Sequence, residues 1–234
     1  MENKKEQGIP ELTSTLRQDI IRLPAEIQQA SGIRIFGKLI KGIIFSTDIA
    51  IIKNCNADAV IAIYPFTPHP TIIDAICQAA DIPVLAGIGG GLTNGKRSVN
   101  MGLAAESEGA IAGVVNAPTP NKTIKKIVDF IDIPLVLTVV SEHTDIQKKL
   151  DMGIKIINVS GGSNTAHIVR VIRRKFPDLP IIATGGKNPA SIIETIEAGA
   201  NAITYTPPSN GELFRRKMET YREQEESKYK KHKK

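Results

Sequence analysis

Runs of apolar residues alternate with amphipathic segments along most of the chain. Three runs open with an acidic residue, an apolar residue and proline, and they span 81–87, 132–138 and 178–186. Proline is tolerated at the first residue of a strand, where it removes no central hydrogen bond of the sheet. An earlier run, 39–46, and four runs that open at or just after a small or polar residue bring the predicted strands to eight; the four are 58–64, 109–116, 153–161 and 199–206.

Segments of about 10 to 16 residues with helical spacing separate these strands. Near-continuous apolar strands that alternate with helices are typical of a parallel sheet covered on both faces. Eight such units fit a closed (β/α)8 TIM barrel of the α/β class, with a doubly wound open sheet as the alternative. The predicted helices are 48–55, 70–80, 96–107, 121–130, 144–152, 166–176, 189–198 and 211–226.

The length of 234 residues fits one barrel domain, which we assign to residues 31–220. Residues 1–30 form an N-terminal extension in which 19–30, despite Pro24, are predicted as an extra helix that caps the bottom of the barrel. Residues 221–234 are charged in every turn and have no apolar stripe, which indicates a solvated continuation of the last helix. This basic C-terminal tail ends in seven residues, 228–234, that hold five lysines, while the net charge of the chain is +6.

The composition indicates an ordinary globular protein, with 41% apolar and 23% charged residues. Cys55 and Cys77 lie in candidate helices and form no C-x-x-C motif, so we expect two reduced, buried thiols rather than a disulfide or a zinc site. The sequence shows no signal peptide and no apolar run of 18 residues. It therefore predicts a soluble, cytoplasmic protein without a membrane partner.

The turn after the seventh predicted strand, Thr184-Gly185-Gly186, is the strongest candidate for binding an anion. In (β/α)8 barrels the site lies at the carboxyl ends of the strands, and a phosphate commonly sits on the loops after strands seven and eight. Two residues without Cβ let the backbone approach an oxyanion where a helix begins, and the helix N-terminus favours negative charge. The alternative is a tight strand-to-helix turn that binds no ligand.

The turn after the sixth predicted strand repeats this design with Ser160, Gly161 and Gly162. Ser163 or Asn164 is the expected N-cap of the helix that follows. Two adjacent glycine turns would then face one rim of the barrel and share a phosphate group. A structural turn is again the alternative.

The segment 181–186, read with the Glu-Ala-Gly-Ala-Asn sequence at 197–201, resembles the ribulose-phosphate-binding barrel superfamily of phosphate-binding TIM barrels. The resemblance covers strands six to eight, and it implies a phosphorylated small-molecule ligand. The chain departs from the superfamily after strand eight, where Pro207 and Pro208 replace the usual glycine-serine pair. Because proline donates no N–H, Ser209 and Asn210 would have to supply the missing donors.

The longest glycine cluster, 87–98, follows the third predicted strand. It falls one residue short of a phosphate-loop signature, because Arg97 stands where Ser or Thr would bind magnesium. We therefore interpret it as a mobile loop over the site, from which Lys96 could meet an anion. A nucleotide-binding loop is the less favoured alternative.

Candidate catalytic groups at strand ends are Asp48, Glu142 and His143, each with an alternative role as a helix cap or surface residue. Lys155 lies near the beginning of its predicted strand, so it does not take the position that a Schiff-base aldolase would need. No compact set of His and carboxylates indicates a metal, and His167 lies in a predicted helix. We expect neither metal nor cofactor. Neutral candidates for other ligand contacts are Tyr64, Asn116, Thr138, Asn158 and Thr206.

Two functions fit this rim of Gly, Ser, Thr and Asn. The first is a lyase or isomerase of a small phosphorylated metabolite, where the resemblance alone suggests the reaction class. The second is a non-catalytic sensor of such a metabolite, similar to glycerol-phosphate-responsive antiterminators that contact RNA, with the basic tail as the RNA contact. The lysine-rich end of the tail, residues 228–234, has one aromatic residue, Tyr229, and no recognisable RNA-binding module, which disfavours nucleic acid. A homo-oligomer is also expected, because barrels of this size often pair.

Overall fold

The apolar runs of the sequence form the strands of a closed barrel. The computed structural model describes residues 10, 12–15, 17–186 and 188–232. Within them, β1 (Ile33–Ile35) and β2 (Lys38–Ile40) form an antiparallel hairpin. The barrel strands are β3 (Gly42–Phe45), β4 (Ala59–Ala62), β5 (Val84–Gly89), β6 (Ala112–Asn116), β7 (Leu135–Val139), β8 (Ile156–Val159), β9 (Ile181–Thr184) and β10 (Ala202–Tyr205). They close in the order β10-β3-β4-β5-β6-β7-β8-β9, and the predicted (β/α)8 TIM barrel is confirmed.

A helix follows each barrel strand, as predicted. The helices are α1 (Ile49–Lys53), α2 (Pro70–Ala79), α3 (Lys96–Ser107), α4 (Asn121–Val128), α5 (Ile146–Asp151), α6 (Thr165–Lys175), α7 (Pro189–Glu197) and α8 (Asn210–His232). Helix α8 continues through the predicted tail, and its side chains from Tyr221 to Lys230 are exposed. None of the helices within the described ranges has the length and apolar character needed to cross a membrane.

Alternate residues of each barrel strand face opposite sides, as the pleat of a strand requires. One apolar cluster fills the barrel interior and includes Ile43, Ile61 and Leu85. The other packs the outer faces of the strands against the helices and includes Ile44 and Val60. Membership of the two clusters therefore shows which residues of each strand point inward. Because the two faces alternate along a strand, it also shows which polar residues at the strand ends point inward.

The hairpin β1-β2 closes the bottom of the barrel, and the sequence did not predict it. Ile33, Ile35 and Ile40 belong to the interior cluster, so the hairpin plugs the amino-terminal end of the strands. The predicted first strand, 39–46, was wrong at its start, because residues up to Ile40 belong to the hairpin. The Asp58 carboxylate holds the junction between β2 of the hairpin and β3 of the barrel. Its Oδ2 accepts hydrogen bonds from the backbone N–H of Lys41 at 2.9 Å and of Gly42 at 2.8 Å.

The N-terminal extension also packs at the bottom of the barrel. The extra helix predicted over 19–30 is a short 3-10 helix, Ala25–Gln29, that begins after Pro24. Proline fixes an extended entry there, and Ile21 instead pairs with Cys55 in an isolated bridge. Ile27 of the 3-10 helix is fully buried, which fits the predicted capping role. Residues 1–9, 11 and 16 of the extension lie outside the described residues.

Both cysteines are free thiols and half-buried. Cys77 lies in α2 as predicted, whereas Cys55 lies just beyond the end of α1, so its predicted helical position was wrong. Burial raises the pKa of Cys77 to about 11, with smaller contributions from the nearby carboxylates of Glu108 and Asp74. Burial also raises the pKa of Cys55. Neither thiol is activated as a nucleophile, because the thiolate is the reactive form.

Arg173 of α6 joins its helix to the connections that lead into β9 and β10 at the bottom of the barrel. Its guanidinium donates to the carbonyl oxygens of Phe176, Pro177 and Leu179, which lead into β9. It also donates to the carbonyl of Gly199 and to Asn201 Oδ1, which lead into β10. Burial lowers the pKa of Arg173 from its ordinary value, although the nearby Asp178 opposes this effect. A planar fork with five N–H donors suits such a cluster of carbonyls.

Candidate functional site

The inward-facing residues at the carboxyl ends of the strands are uncharged. Five of them are polar, and they lie on five consecutive strands from β6 to β10. We call these five residues the polar belt: Asn116, Thr138, Asn158, Thr184 and Thr204. Strand register pairs Asn116 with Thr138, Thr138 with Asn158, and Thr184 with Thr204. On β3, β4 and β5 the same end of the barrel presents Phe45, Ile63 and Gly87.

Two members of the polar belt carry buried atoms without a hydrogen-bond partner. Asn158 Nδ2 donates to Thr138 Oγ1 at 3.1 Å, but Asn158 Oδ1 has no partner among the described residues. Reversing the amide would leave its nitrogen in the same position, so one terminal atom stays unpaired either way. Thr204 Oγ1 also lacks a described partner, and both residues are only 6% exposed. Buried polar atoms nearly always have partners, so these two atoms indicate a place for a ligand or ordered water.

Thr204 replaces Thr206 as the inward-facing threonine of its strand end. The sequence prediction named Thr206, but Thr206 follows the end of β10 and is exposed. Thr204 aligns with Thr184 of β9 and Ile43 of β3, both of which face the interior. Asn116, Thr138, Asn158 and Thr184 lie where the sequence prediction needs them. Their role in binding stays a prediction.

Packing explains the two glycines of the Thr184-Gly185-Gly186 turn. A Cβ on Gly185 would lie 2.5 Å from Ile203 Cγ2, and Gly186 has a φ of +81° and no room for a Cβ beside Ser191. The N–H of Gly185 donates to the Thr204 carbonyl at 3.2 Å, which continues the barrel ladder. The N–H groups of Asn188 and Ser191 are used within a capping box that starts α7. This turn therefore offers an anion fewer free donors than the sequence suggested, and Lys187 lies outside the described residues.

Gly161 and Gly162 are also tied into the fold. The N–H of Gly161 donates to Thr165 Oγ1 at 3.1 Å, and that hydroxyl donates to the Gly162 carbonyl at 2.9 Å. Gly162 begins a short 3-10 helix, Gly162–Asn164, with a φ of +61°. Asn164, one of the two predicted caps, is the N-cap residue of α6, but its side chain makes no capping hydrogen bond and Thr165 organises the turn instead. Ser160 is exposed beside this turn.

Glu212 occupies the donors at the start of α8. The backbone N–H and the hydroxyl of Ser209 both lie 2.8 Å from Glu212 Oε2. These hydrogen bonds, the backbone one first, hold the pKa of Glu212 below its ordinary value. A phosphate at the predicted contacts Ser209 and Asn210 would have to displace this carboxylate. Phosphate binding by these two residues stays a prediction.

A cavity of about 700 Å³ opens on the opposite side of the same face, above β4, β5 and β6. The glycine cluster forms one of its walls, in a compact turn where Gly90 and Thr93 exchange backbone hydrogen bonds. These paired amides are a poor cradle for a nucleotide. Lys96 begins α3 and is exposed, outside the lining of the cavity. Tyr64 lines the opposite wall, where its hydroxyl accepts from the backbone N–H of His69 at 2.8 Å.

In the described structure no hydrogen bond joins the predicted acid-base residues to the polar belt. Asp48 is the N-cap of α1, with Oδ1 2.8 Å from the N–H of Ala50. His143 is exposed, and Glu142 pairs with His167 rather than with His143, at 2.6 Å from Nε2. The sequence analysis set His167 aside as helical, but it lies in the first turn of α6, which starts at the carboxyl face. Glu142 and His167 are therefore the paired acid-base groups on this rim.

The chain matches no family model and no curated protein. Its fold resembles those of several solved barrels. One is 2,3-dimethylmalate lyase, a PEP mutase/isocitrate lyase superfamily member, which aligns with a TM-score of 0.61 and 13% identity and covers 93% of this chain and 89% of its own. Phosphoenolpyruvate phosphomutase from Streptomyces platensis subsp. rosaceus aligns with a TM-score of 0.60 and 12% identity, and the alignment covers 88% of this chain and 85% of the phosphomutase. Phosphonopyruvate hydrolase, in complex with oxalate and Mg++, aligns with a TM-score of 0.59 and 13% identity, and the alignment covers 81% of this chain and 82% of the hydrolase. Identities this low establish the barrel fold and nothing about the reaction, and ribulose-phosphate binding stays a prediction.

The described residues offer no donor set suited to an ion such as the Mg²⁺ of the hydrolase complex. Magnesium prefers carboxylate oxygens in an octahedral arrangement. The inward-facing ends of the barrel strands carry amides, hydroxyls and apolar groups, and the described part of the chain holds no group of three or more His, Cys, Asp or Glu side chains that could bind a metal. The residues therefore do not fit a resident divalent metal at the barrel mouth.

Proposed function

We propose that the protein binds a small phosphorylated metabolite at the carboxyl face of the barrel and acts on it as a lyase or isomerase. The observation that carries the proposal is the pair of buried, unpartnered atoms in the polar belt, Asn158 Oδ1 and Thr204 Oγ1. A ligand that hydrogen-bonds to them removes the cost of leaving buried polar groups unpaired. Thr184 and the exposed Gly186 lie at the same end of β9, where a phosphate group would bind.

The reaction class draws support from the fold and from one pair of side chains. The similar solved structures include a lyase, a phosphomutase and a hydrolase. Proton transfer in a lyase or isomerase needs a side chain that can accept and return a proton, and the Glu142–His167 pair has that chemistry. Asp48 and His143 stay secondary candidates. The cytoplasmic location and the homo-oligomer stay predictions.

Titration calorimetry with inorganic phosphate, glycerol 3-phosphate and ribulose 5-phosphate tests the binding step. We expect wild type to bind at least one of the two organic phosphates and Asn158→Leu to lose about tenfold in affinity, because the leucine is similar in size and has no hydrogen-bonding atoms. Thr71→Val, an exposed substitution on α2, serves as the control. Failure of all three phosphates to bind, or equal affinity of Asn158→Leu, contradicts the proposal.

A sensor without catalytic activity is the second candidate. It is favoured by the polar belt itself, which contains no titratable side chain and suits hydrogen-bonded capture better than proton transfer. The basic tail at the exposed end of α8 would then contact RNA. Phosphorus NMR separates the two functions, because an enzyme converts a bound phosphorylated compound and a sensor returns it unchanged. RNA retention that deletion of residues 227–234 leaves unaltered would exclude the tail as the RNA contact.

A further inference from the structure

We infer that the cavity above β4, β5 and β6 binds an uncharged, mainly apolar group of the ligand, such as an aryl or short alkyl group. This inference rests on the proposed function and narrows its substrate class. The ligand would be a phosphorylated compound with an apolar body, rather than a phosphorylated hydroxy acid or sugar acid. The cavity volume of about 700 Å³ lies within the range of small-molecule binding sites.

The lining of the cavity has no charge to bind a carboxylate. Its residues are neutral and mainly apolar: Ile63, Tyr64, Pro65, Phe66, Thr67, Pro68, Gly87, Gly89, Gly90, Gly91, Leu92, Thr93 and Asn116. A carboxylate or ammonium group that entered it would lose hydration without gaining an ionic partner. An apolar group would gain from leaving water. The lining therefore selects against charge in this part of the ligand.

Two exposed apolar side chains stand at the cavity on opposite loops. Phe66 follows β4 and is 77% exposed, and Leu92 lies in the glycine loop, residues 89–95, and is fully exposed. Both contribute to the cavity lining. Large exposed apolar groups around a concave site are typical of ligand-binding surfaces. An apolar ligand between them would cover both side chains.

The backbone shapes the cavity through glycine. Gly87 takes the inward position of β5 and carries no side chain, so the wall there is backbone. A Cβ on Gly90 would lie 2.8 Å from Asn116 Cβ and 2.9 Å from its backbone nitrogen, which shows how closely the glycine loop packs on β6. On the other side, the Tyr64 hydroxyl bonded to the His69 N–H holds the loop after β4 in place. Such prior ordering lowers the entropy cost of binding.

Asn116 connects the cavity to the polar belt. It belongs to the belt through its register with Thr138 and also lines the cavity. In the barrel order, β5 lies four strands from β9, so the cavity and the Thr184 turn face each other across the mouth. One ligand could therefore place its phosphate over β9 and β10 and its apolar group over β4 and β5, with Asn116 between them.

Calorimetry with glycerol 3-phosphate, phenyl phosphate and uncharged benzyl alcohol tests the inference on the full chain. We expect wild type to bind phenyl phosphate about tenfold more tightly than glycerol 3-phosphate. Phe66→Ser and Leu92→Ser should remove most of that preference while leaving affinity for glycerol 3-phosphate unchanged. Phe130→Ser is the matched control, because Phe130 is 63% exposed but lies after α4, away from the carboxyl face.

Equal affinity for the two phosphates, or a preference that Phe66→Ser and Leu92→Ser both leave intact, overturns the inference and leaves the proposed function standing. Binding of benzyl alcohol with shifted backbone amide signals of residues 89–93, but no binding of either phosphate, supports the apolar cavity and overturns its link to a phosphorylated ligand. If none of the three probes binds, the inference is wrong, and the phosphate proposal is wrong as well when inorganic phosphate and ribulose 5-phosphate also fail to bind.

Discussion

Arg173→Ala is expected to lower the free energy of unfolding by about 3 kcal/mol, since the substitution removes a charged donor from several partly buried acceptors. The guanidinium is 2.6 Å from both the Pro177 carbonyl and Asn201 Oδ1, and 2.8 Å from the carbonyls of Leu179 and Gly199. Without it these acceptors turn toward a half-buried gap. The α6–β9 and α7–β10 connections would then lose the group that joins them.

Two further variants separate the hydrogen-bonding role of Arg173 from its charge. Arg173→Lys keeps the positive charge but has a single nitrogen that cannot reach acceptors on both connections, so we expect it to recover only part of the loss. Arg174→Ala changes the neighbouring exposed arginine, and its effect should stay within about 0.5 kcal/mol. Urea unfolding followed by circular dichroism measures all three. An Arg173→Ala midpoint equal to that of Arg174→Ala would show that the network contributes no stability.

The barrel itself could be predicted from the sequence because its evidence is local and repeated. Proline at 83, 134 and 180 marks strand entries, and each strand is apolar over several residues before a helical segment begins. Helix α3 was predicted with its observed limits, Lys96–Ser107. The hairpin β1-β2 was missed because its strands have only three residues each, and with Arg34 in one and Lys38 in the other they give too short an apolar pattern. Only the barrel shows that Ile33, Ile35 and Ile40 close its lower end.

The site could be predicted only in part, for a physical reason. A parallel strand buried on both faces has apolar residues at successive positions, so the sequence does not reveal which residues point inward. The prediction named Thr206, which is two residues beyond Thr204, follows the end of β10 and is exposed, and it did not name the buried Thr204. His167 was set aside as helical, although the first turn of a helix that follows a strand lies at the rim. Gly185 and Gly186 were read as an anion turn, and the packing of Ile203 and Ser191 explains their presence without a ligand.

Thr204→Val is expected to stabilise the free protein and to weaken ligand binding. Valine has nearly the shape of threonine and suits a strand, and the substitution removes a buried hydroxyl that lacks a partner. An unsatisfied buried hydroxyl costs about 1–3 kcal/mol, so the variant should gain about 1 kcal/mol in the free energy of unfolding. The same hydroxyl is proposed to bind the ligand, and its loss should lower the affinity for glycerol 3-phosphate about fivefold to tenfold.

Comparison with two other threonines makes this result specific. Thr206→Val changes the residue that the sequence favoured, and Thr71→Val changes an exposed residue of α2 that belongs neither to the polar belt nor to the cavity lining. We expect neither variant to gain stability, because both side chains reach water. Chemical unfolding without ligand and calorimetry with glycerol 3-phosphate measure the two effects separately. A Thr204→Val protein no more stable than wild type would show that the hydroxyl already has a partner, such as ordered water, in the free protein. Greater stability with unchanged affinity would place the ligand away from Thr204. If the Thr204 hydroxyl bound the ligand, its replacement by a methyl group would remove a hydrogen bond to the ligand and weaken binding.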